Sequence, residues 1–282
     1  MISSPQDITY FVELTHTLNF SRASERIGIT QPSLSIAIKR LESEIGAALF
    51  HRHKNGVTLT KSGKQLLAHS KKLLHLWETM KTEALSSSVD VQGCVTIGCH
   101  TSVALATLHR FLPAMIQSYP KLEIKLEHDL SRKTAENVIN HSLDVGIVVN
   151  PIKHPDLIIQ KLYDDKIAIW HAKKIKKGDT VIICDPALMQ TQYIFKKMQK
   201  KGMVYQRVIT SRSLEVIANL TAHGAGFGIL PANVVHANGS NELMMLDKSP
   251  TFNDEICVVY RNENRHVKAV QTIIQALKSV YR

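Results

Sequence analysis

The sequence predicts an α/β protein in three parts. Residues 1–59 form an all-α winged helix-turn-helix domain, 60–88 a long linker helix, and 89–282 a two-lobed α/β domain. Three observations carry this reading. The stretch Asn19–Thr60 reads as two short helices around a glycine turn, followed by a hairpin. From Thr60 apolar residues recur in a heptad rhythm. From Gly93 short apolar strand patterns alternate with helical ones, which signals a largely parallel sheet with crossover helices.

The elements follow in order. Pro5–Thr17 is a helix with Ile8, Phe11, Val12 and Leu14 turned inward. Ser21 is placed as the cap of a second helix, in which Ala23 and Ile27 face in and which Gly28 ends. Thr30 caps a third helix, with Pro32 in its first turn, where a missing N–H is harmless. Leu34, Ile38, Leu41 and Ile45 make one apolar stripe along it, and Gly46 stops it. This is a helix-turn-helix unit, whose second helix fits the major groove of DNA. Gln31 and Ser33, at the start of that helix, are placed to reach base edges, with Gln pairing bidentately to adenine. Lys39 and Arg40, further along, suit phosphates. Phe50–Thr60 reads as a hairpin turning at Asn55-Gly56, with Arg52, His53 and Lys54 as a basic wing. The competing reading is a packed helical pair with a solvated basic face.

Gly63, Leu66, Ser70, Leu73, Trp77, Met80 and Ala84 are alternately three and four residues apart. Such a seam serves either a dimer or a helix packed on its own domain. With no neighbouring segment to cover it, the dimer is expected, with Leu66, Leu73, Trp77 and Met80 in contact. The helix ends near Ser86–Ser88, read as a hinge. Beyond it, strands are expected at Cys94–Cys99, Lys121–Glu127 (Leu122, Ile124 and Leu126 sharing a face) and Asp144–Val149. Helices are expected at Leu105–Ser118 and Ser131–Asn140. A second set has strands near Ile167–His171, Val181–Cys184, Gln206–Ile209 and Ile256–Tyr260, and a final helix at Val267–Val280. Two lobes result, one over about 92–162 and 264–282, the other over about 165–261, with two crossings between them.

Composition narrows the function. The chain is 44% hydrophobic and 21% charged, ordinary for a soluble globular protein. A net charge of +11 favours an anionic partner, of which nucleic acid is the commonest. The lysine runs 173–177 and 196–201 read as solvated faces. Four cysteines without metal-like spacing are expected as reduced thiols, with Cys94 and Cys99 on opposite strand faces. The histidines form no metal motif; His51 and His53 flank Arg52 and suit DNA or solvent. No metal, cofactor or catalytic site is expected. The start MISSPQD does not read as a signal peptide, and no apolar stretch suffices to span a membrane. A cytoplasmic location with no membrane partner is the expectation.

Several runs resemble the LysR-type transcriptional regulators. In the N-terminal part these are Phe11-Val12-Glu13, Asn19-Phe20-Ser21-Arg22-Ala23, Thr30-Gln31-Pro32-Ser33-Leu34-Ser35, Leu41-Glu42, Gly46, Leu49-Phe50, Arg52 and Leu59-Thr60 with Gly63. The resemblance implies DNA contacts from Ser21, Arg22, Thr30, Gln31, Pro32, Ser33, Ser35, Lys39, Arg40, Arg52, His53 and Lys54. Ile36 and Ala37 depart from the polar or basic residues usual at their positions; they either touch thymine methyls or remove phosphate contacts. The linker helix pairs two subunits in that family, and a tetramer is its usual end state.

The rest of the chain resembles the family's effector-binding domain, which has the periplasmic-binding-protein fold. The matching runs are Gly93–Gly98, Phe111-Leu112-Pro113, Tyr119-Pro120, Leu143–Ile147 and His223–Pro231. In such folds ligands sit at strand C-termini between the lobes. That places a small, anionic metabolite among His100, Thr101, Ser102, Ser131 and Asn150 from one lobe and Thr210, Ser211 and Arg212 from the other. Arg212 is placed where it could clamp a carboxylate; the competing reading is that these hydroxyls merely cap their helices. The expected protein is therefore a sequence-specific transcriptional regulator modulated by a metabolite, with double-stranded DNA, a second copy and the transcription machinery as partners. The alternatives are a ligand-independent repressor or an architectural protein with a structural C-terminal domain.

Overall fold

The computed structural model describes residues 4–54, 56–85, 91–174, 181–237 and 242–281. Two compact units divide the chain, one spanning Met1–Gly93 and the other most of Cys94–Arg282.

The first unit begins with α1 (Pro5–Thr17), capped by the Ser4 hydroxyl, which accepts from the Gln6 N–H. Next come α2 (Phe20–Ile27), α3 (Gln31–Ile45), β1 (Phe50–His53), β2 (Gly56–Leu59) and α4 (Lys61–Leu85). The cap of α2 is Asn19, whose side chain accepts from Arg22 N at 3.1 Å; the expected Ser21 lies two residues later, already inside the helix, and stays exposed. Thr30 does cap α3, and Gly28 and Gly46 end their helices in the left-handed region, at φ 71° and 73°. Phe11, Leu14, Ala23, Leu34, Ile38, Leu41, Leu49, Phe50 and Val57 form the core. Ala37 belongs to the buried face of α3, whereas Ile45, expected in the stripe, is 45% exposed. Ile45 is the last residue of α3, beyond the reach of the packed face, and Ala37, three residues after Leu34 and four before Leu41, stands on that face.

The β1–β2 hairpin pairs His53 with Gly56; Asn55, the other half of the expected turn, lies outside the described residues, as do Ser86–Ser88 and much of the first lysine run. Glu42 locks the hairpin to α3: its carboxylate accepts from the Leu49 and Phe50 N–H groups at 2.7 and 3.3 Å. Thr60 caps α4 through the Gly63 N–H. A Cβ on Gly63 would stand 2.2 Å from the Leu49 carbonyl oxygen, so only glycine lets α4 approach the hairpin this closely.

In the second unit, β3 (Gly93–Cys99), β4 (Leu122–His128) and β5 (Val145–Val149) alternate with α5 (Thr101–Thr107), α6 (Leu112–Ser118) and α7 (Ser131–Ile139). Then follow β6 (Leu157–Ala172), β7 (Val181–Cys184), α8 (Met189–Lys200), β8 (Arg207–Thr210), α9 (Leu214–Ala222), β9 (Phe227–Pro231), α10 (Ala232–Ala237), β10 (Leu243–Met245), β11 (Phe252–Arg261) and α11 (Lys268–Val280). Among the described residues nine strands make one mixed sheet, in the order β4-β3-β5-β11-β6-β9-β7-β8, with β10 on β6. β3 and β5 are parallel, as are β7 with β8 and β7 with β9.

Two long antiparallel strands join the lobes. β6 pairs with β11 from Leu157 to Ile167, then with β9 from Ile167 to Trp170; β11 pairs with β5 from Ile256 to Tyr260. The return crossing therefore lies inside β11, where the register shifts between Ile256 and Cys257. It does not wait for residues 261–264. A strand buried across two lobes has no apolar break to mark where it changes lobe. The helix expected from Leu105 begins at Thr101 and breaks at Phe111, ahead of Pro113. On β4, Leu122 is buried but Leu126 is 42% exposed, because β4 is an edge strand.

Candidate DNA-binding surface and effector cleft

The start of α3 is open to solvent. Thr30, Gln31, Pro32, Ser33, Ile36 and Lys39 are exposed, Ser35 half-buried, and Ile36 is 63% exposed. Ser21, Arg22, Arg52, His53 and Lys54 are exposed beside them in the same domain. The structure therefore brings together the side chains that the sequence placed on the DNA-facing side, Ala37 excepted. Thr30 and Ser33 share a hydroxyl–hydroxyl hydrogen bond of 2.8 Å, which orients both. Arg52 lies over the Phe20 ring at 4.9 Å and donates to the Ser35 hydroxyl at 3.4 Å, fixing the wing base to α2 and α3. The His53 ring is bonded across the hairpin to Thr58.

Arg40, expected on the phosphates, is instead engaged within the domain. Its guanidinium makes two bonds to the buried carboxylate of Asp7 on α1, Nε to Oδ2 at 2.7 Å and Nη2 to Oδ1 at 2.5 Å. The hydrogen bond and charge of Asp7 push the Arg40 pKa up. Its planar fork matches a carboxylate, so its first task is to hold α3 on α1. Lys39 carries no such commitment; among the described residues it meets no carboxylate.

Along α4 the expected seam splits. Gly63 and Ser70 are buried, and Leu66, Leu67 and Leu74 pack on the domain's own core. Leu66 is therefore an intradomain contact, because α1 supplies the cover that the sequence did not show. Leu73, Leu76, Trp77 and Met80 remain 43–56% exposed.

In the second unit the expected lobe I residues gather at the C-terminal ends of neighbouring strands β3 and β5. The His100 ring nitrogen caps α5, accepting from Ser102 N at 3.3 Å, and lies 2.7 Å from the Ser102 hydroxyl. Ser102 is buried and Thr101 exposed. The Ser131 hydroxyl accepts from Val149 N at 3.0 Å. Asn150, left-handed at φ 47°, donates to Asp254 at 2.6 Å and accepts from Glu255 N at 2.8 Å. Ser102, Ser131 and Asn150 thus spend their polar atoms within the protein, and Thr101 is the hydroxyl left facing solvent.

Thr210, Ser211 and Arg212 stand at the C-terminal end of β8. Ser213, which the sequence reading passed over, caps α9 by accepting from Val216 N at 3.2 Å. Ser211 bonds to the Ser213 backbone. Arg212 is exposed and meets no carboxylate among the described residues. No hydrogen bond or ion pair among the described residues joins the Thr101–Ser102 set to the Thr210–Arg212 set.

A polar cluster between the lobes went unread. Asp254 accepts from Gln190 at 2.8 and 2.9 Å as well as from Asn150, so one carboxylate ties the start of α8 to the end of β5. Asp165, opposite it, accepts from Asn233 N at 3.2 Å, in the first turn of α10. Both acids sit inside strands with no local motif to flag them.

Residues 5–64 match the family model described as bacterial regulatory helix-turn-helix protein, lysR family, and residues 89–282 the LysR substrate binding domain. The HTH-type transcriptional regulator CzcR of Bacillus cereus is 27% identical over 236 residues, covering 82% of this chain and 81% of its own length. Full-length CbnR complexed with its target DNA superposes with a TM-score of 0.65 at 17% identity, over 98% of this chain and 99% of that one. Full-length LysG from Corynebacterium glutamicum with bound effector Arg gives 0.61 at 14% identity, over 99% and 98%. The two structures share the fold, and the two family matches span most of the sequence. The open recognition helix, the wing and the two-lobed α/β unit agree with them: the chain belongs to the LysR family of bacterial helix-turn-helix transcriptional regulators.

Proposed function

We propose that this chain is a one-component regulator, a sequence-specific DNA-binding protein whose hold on its operator is set by a small carboxylate in the cleft between its lobes. The exposed start of α3 carries the DNA half of the reading. Gln31 and Ser33 read base edges, while Lys39, Arg52 and Lys54 neutralise phosphates. Thr101 and Arg212, solvent-facing groups at the ends of β3 and β8, carry the effector half, with Arg212 a cation that meets no acid among the described residues. The effector Arg of LysG has a carboxylate of this kind. The chain acts by binding, in the cytoplasm, without catalysis.

Assembly follows from the exposed stripe Leu73, Leu76, Trp77 and Met80 on α4, which suits a helix pair between two copies. The sheet also ends in two open edges, β4 with Leu126 exposed and β8 with Val208 and Ile209 exposed. Pairing these edges between copies would cover them and supply the second contact that a tetramer needs.

The test is a mobility-shift titration of the full-length protein on DNA selected from a random pool, repeated with a panel of small carboxylates. One carboxylate should change the affinity, and a Thr101→Ala, Arg212→Ala double variant should bind the same DNA without responding. A response only to cations, or none to any metabolite, overturns the effector assignment and leaves a ligand-independent regulator.

A further inference from the structure

A cavity of about 250 Å³ lies in lobe II, lined by Ile169, Ile182, Met198, Met203, Tyr205 and Leu246, with Val204 and Phe227 completing its wall. It is separate from the cleft. Strands β7, β8 and β9 run parallel, and the cleft residues Thr210–Arg212 follow the C-terminal end of β8. The cavity instead meets these strands at their beginnings: Ile182 is the second residue of β7, Phe227 opens β9, and Met203–Tyr205 leads into β8.

The sequence builds it in a definite way. Helix α8 ends at Lys200, and Gly202, left-handed at φ 64°, reverses the chain. Met203 N then bonds to the Met198 carbonyl at 3.0 Å, which swings Met203–Tyr205 across the space beside Met198. The opposite wall is Leu246, held by its N–H to the Ile169 carbonyl at 2.8 Å.

One lysine joins the two walls. Lys201, between Met198 and Met203 in the chain, reaches the Lys248 carbonyl at 2.9 Å, two residues beyond Leu246. An ammonium has three donors, so Lys201 keeps two, and no carboxylate pairs with it among the described residues. Lys196, Lys197 and Lys200 are exposed on the same helix, which has no acid of its own. The acid on the facing turn, Asp247, is exposed and forms no ion pair among the described residues. An apolar interior with the Lys201 ammonium between its two walls calls for a ligand with an apolar body and an anionic head.

We propose that this cavity is a second ligand site, for a medium-chain or single-ring aromatic monocarboxylate whose head bonds to Lys201. The size fits: an apolar cavity of roughly 150 Å³ holds benzene, and pockets for drug-sized ligands begin at roughly 300 Å³. The site stands on different residues from the cleft and does not depend on the effector assignment there.

Sodium octanoate is the probe, with methionine methyl NMR on the full-length protein as the readout. Octanoate should shift the Met198 and Met203 methyl resonances and leave Met115, in lobe I, in place. The Thr101→Ala, Arg212→Ala variant should respond equally. Lys201→Glu, on the surface and harmless to folding, should weaken binding by about tenfold or more, as should replacing octanoate by octanol. Met203→Trp, which fills the space, should abolish it, with a retained melting transition showing that the variant is folded. Unmoved Met198 and Met203 methyls at saturating octanoate, octanol bound as tightly as octanoate, or loss of the response in the cleft variant alone would each overturn the proposal.

Discussion

Asp165 and Asp254 stand directly opposite each other on β6 and β11, both buried, at the point where these strands pass between the lobes. Burial pushes the Asp165 carboxyl up to about 6, against hydrogen bonds from Asn233 that pull it down. Burial also pushes Asp254 up, against its bonds from Gln190 and Asn150. A raised folded-state pKa means that the folded chain holds the proton more tightly than the unfolded one. For Asp165 the resulting stabilisation is complete below the unfolded value of 3.8 and is lost as pH rises through about 6. The shift corresponds to about 3 kcal/mol. Asp165→Asn keeps an acceptor for Asn233 N without a charge. It should raise the melting temperature at neutral pH and flatten its fall between about pH 4 and pH 7. An unchanged pH slope in thermal unfolding would show that Asp165 is not its source.

Arg40 and Lys39 are neighbours on α3 with different tasks, and their variants should part company. Lys39→Ala should weaken DNA binding on all sequences alike, reduce the salt slope by about one, and leave unfolding unchanged. Arg40→Ala strands the buried Asp7 carboxylate and should lower the melting temperature of the N-terminal unit. Asp7→Asn should do the same although it removes no positive charge. A stable Arg40→Ala protein with a reduced salt slope would return Arg40 to the phosphates.

On α4, Leu73→Glu with Trp77→Glu should shift the sedimentation profile toward monomer and weaken operator binding with it. Leu66→Ala should instead lower stability, by about 1–2 kcal/mol, with association little changed, since the half-buried Leu66 packs on its own domain. An intact dimer in the double glutamate variant would remove the helix pair from the account.

How far the sequence could be read differs by region. The helix-turn-helix was legible almost to the residue, because caps, glycine stops and an apolar stripe are local signals. Its errors, Ser21 for Asn19 as a cap, Ile45 in the stripe, Ala37 on the outer face and Arg40 on the phosphates, are single positions. Short strands between helices were legible too, but β6 was seen only in its last third. Its first half, Leu157–Asp164, follows no regular polar–apolar alternation, and pairing partners about a hundred residues away are not written locally. The polar bonding around the cleft was hidden for the same reason: the sequence could not tell that Ser102, Ser131 and Asn150 were already bonded within the protein, nor that Asp254 and Gln190 formed a tie. Leu66 was misread because its cover comes from α1, some fifty residues earlier.

The exposed start of α3 is proposed to read DNA sequence, and selection from a random duplex pool decides whether it does. Wild-type protein should enrich a motif of two related half-sites. Gln31→Ala should lose the base preference at one position in each, costing about 1–3 kcal/mol on the best site, while Lys54→Ala keeps the motif and binds every sequence less well. No enriched motif with wild-type protein, or an unchanged motif with Gln31→Ala and an altered one with Lys54→Ala, would contradict the placement of α3 in the groove.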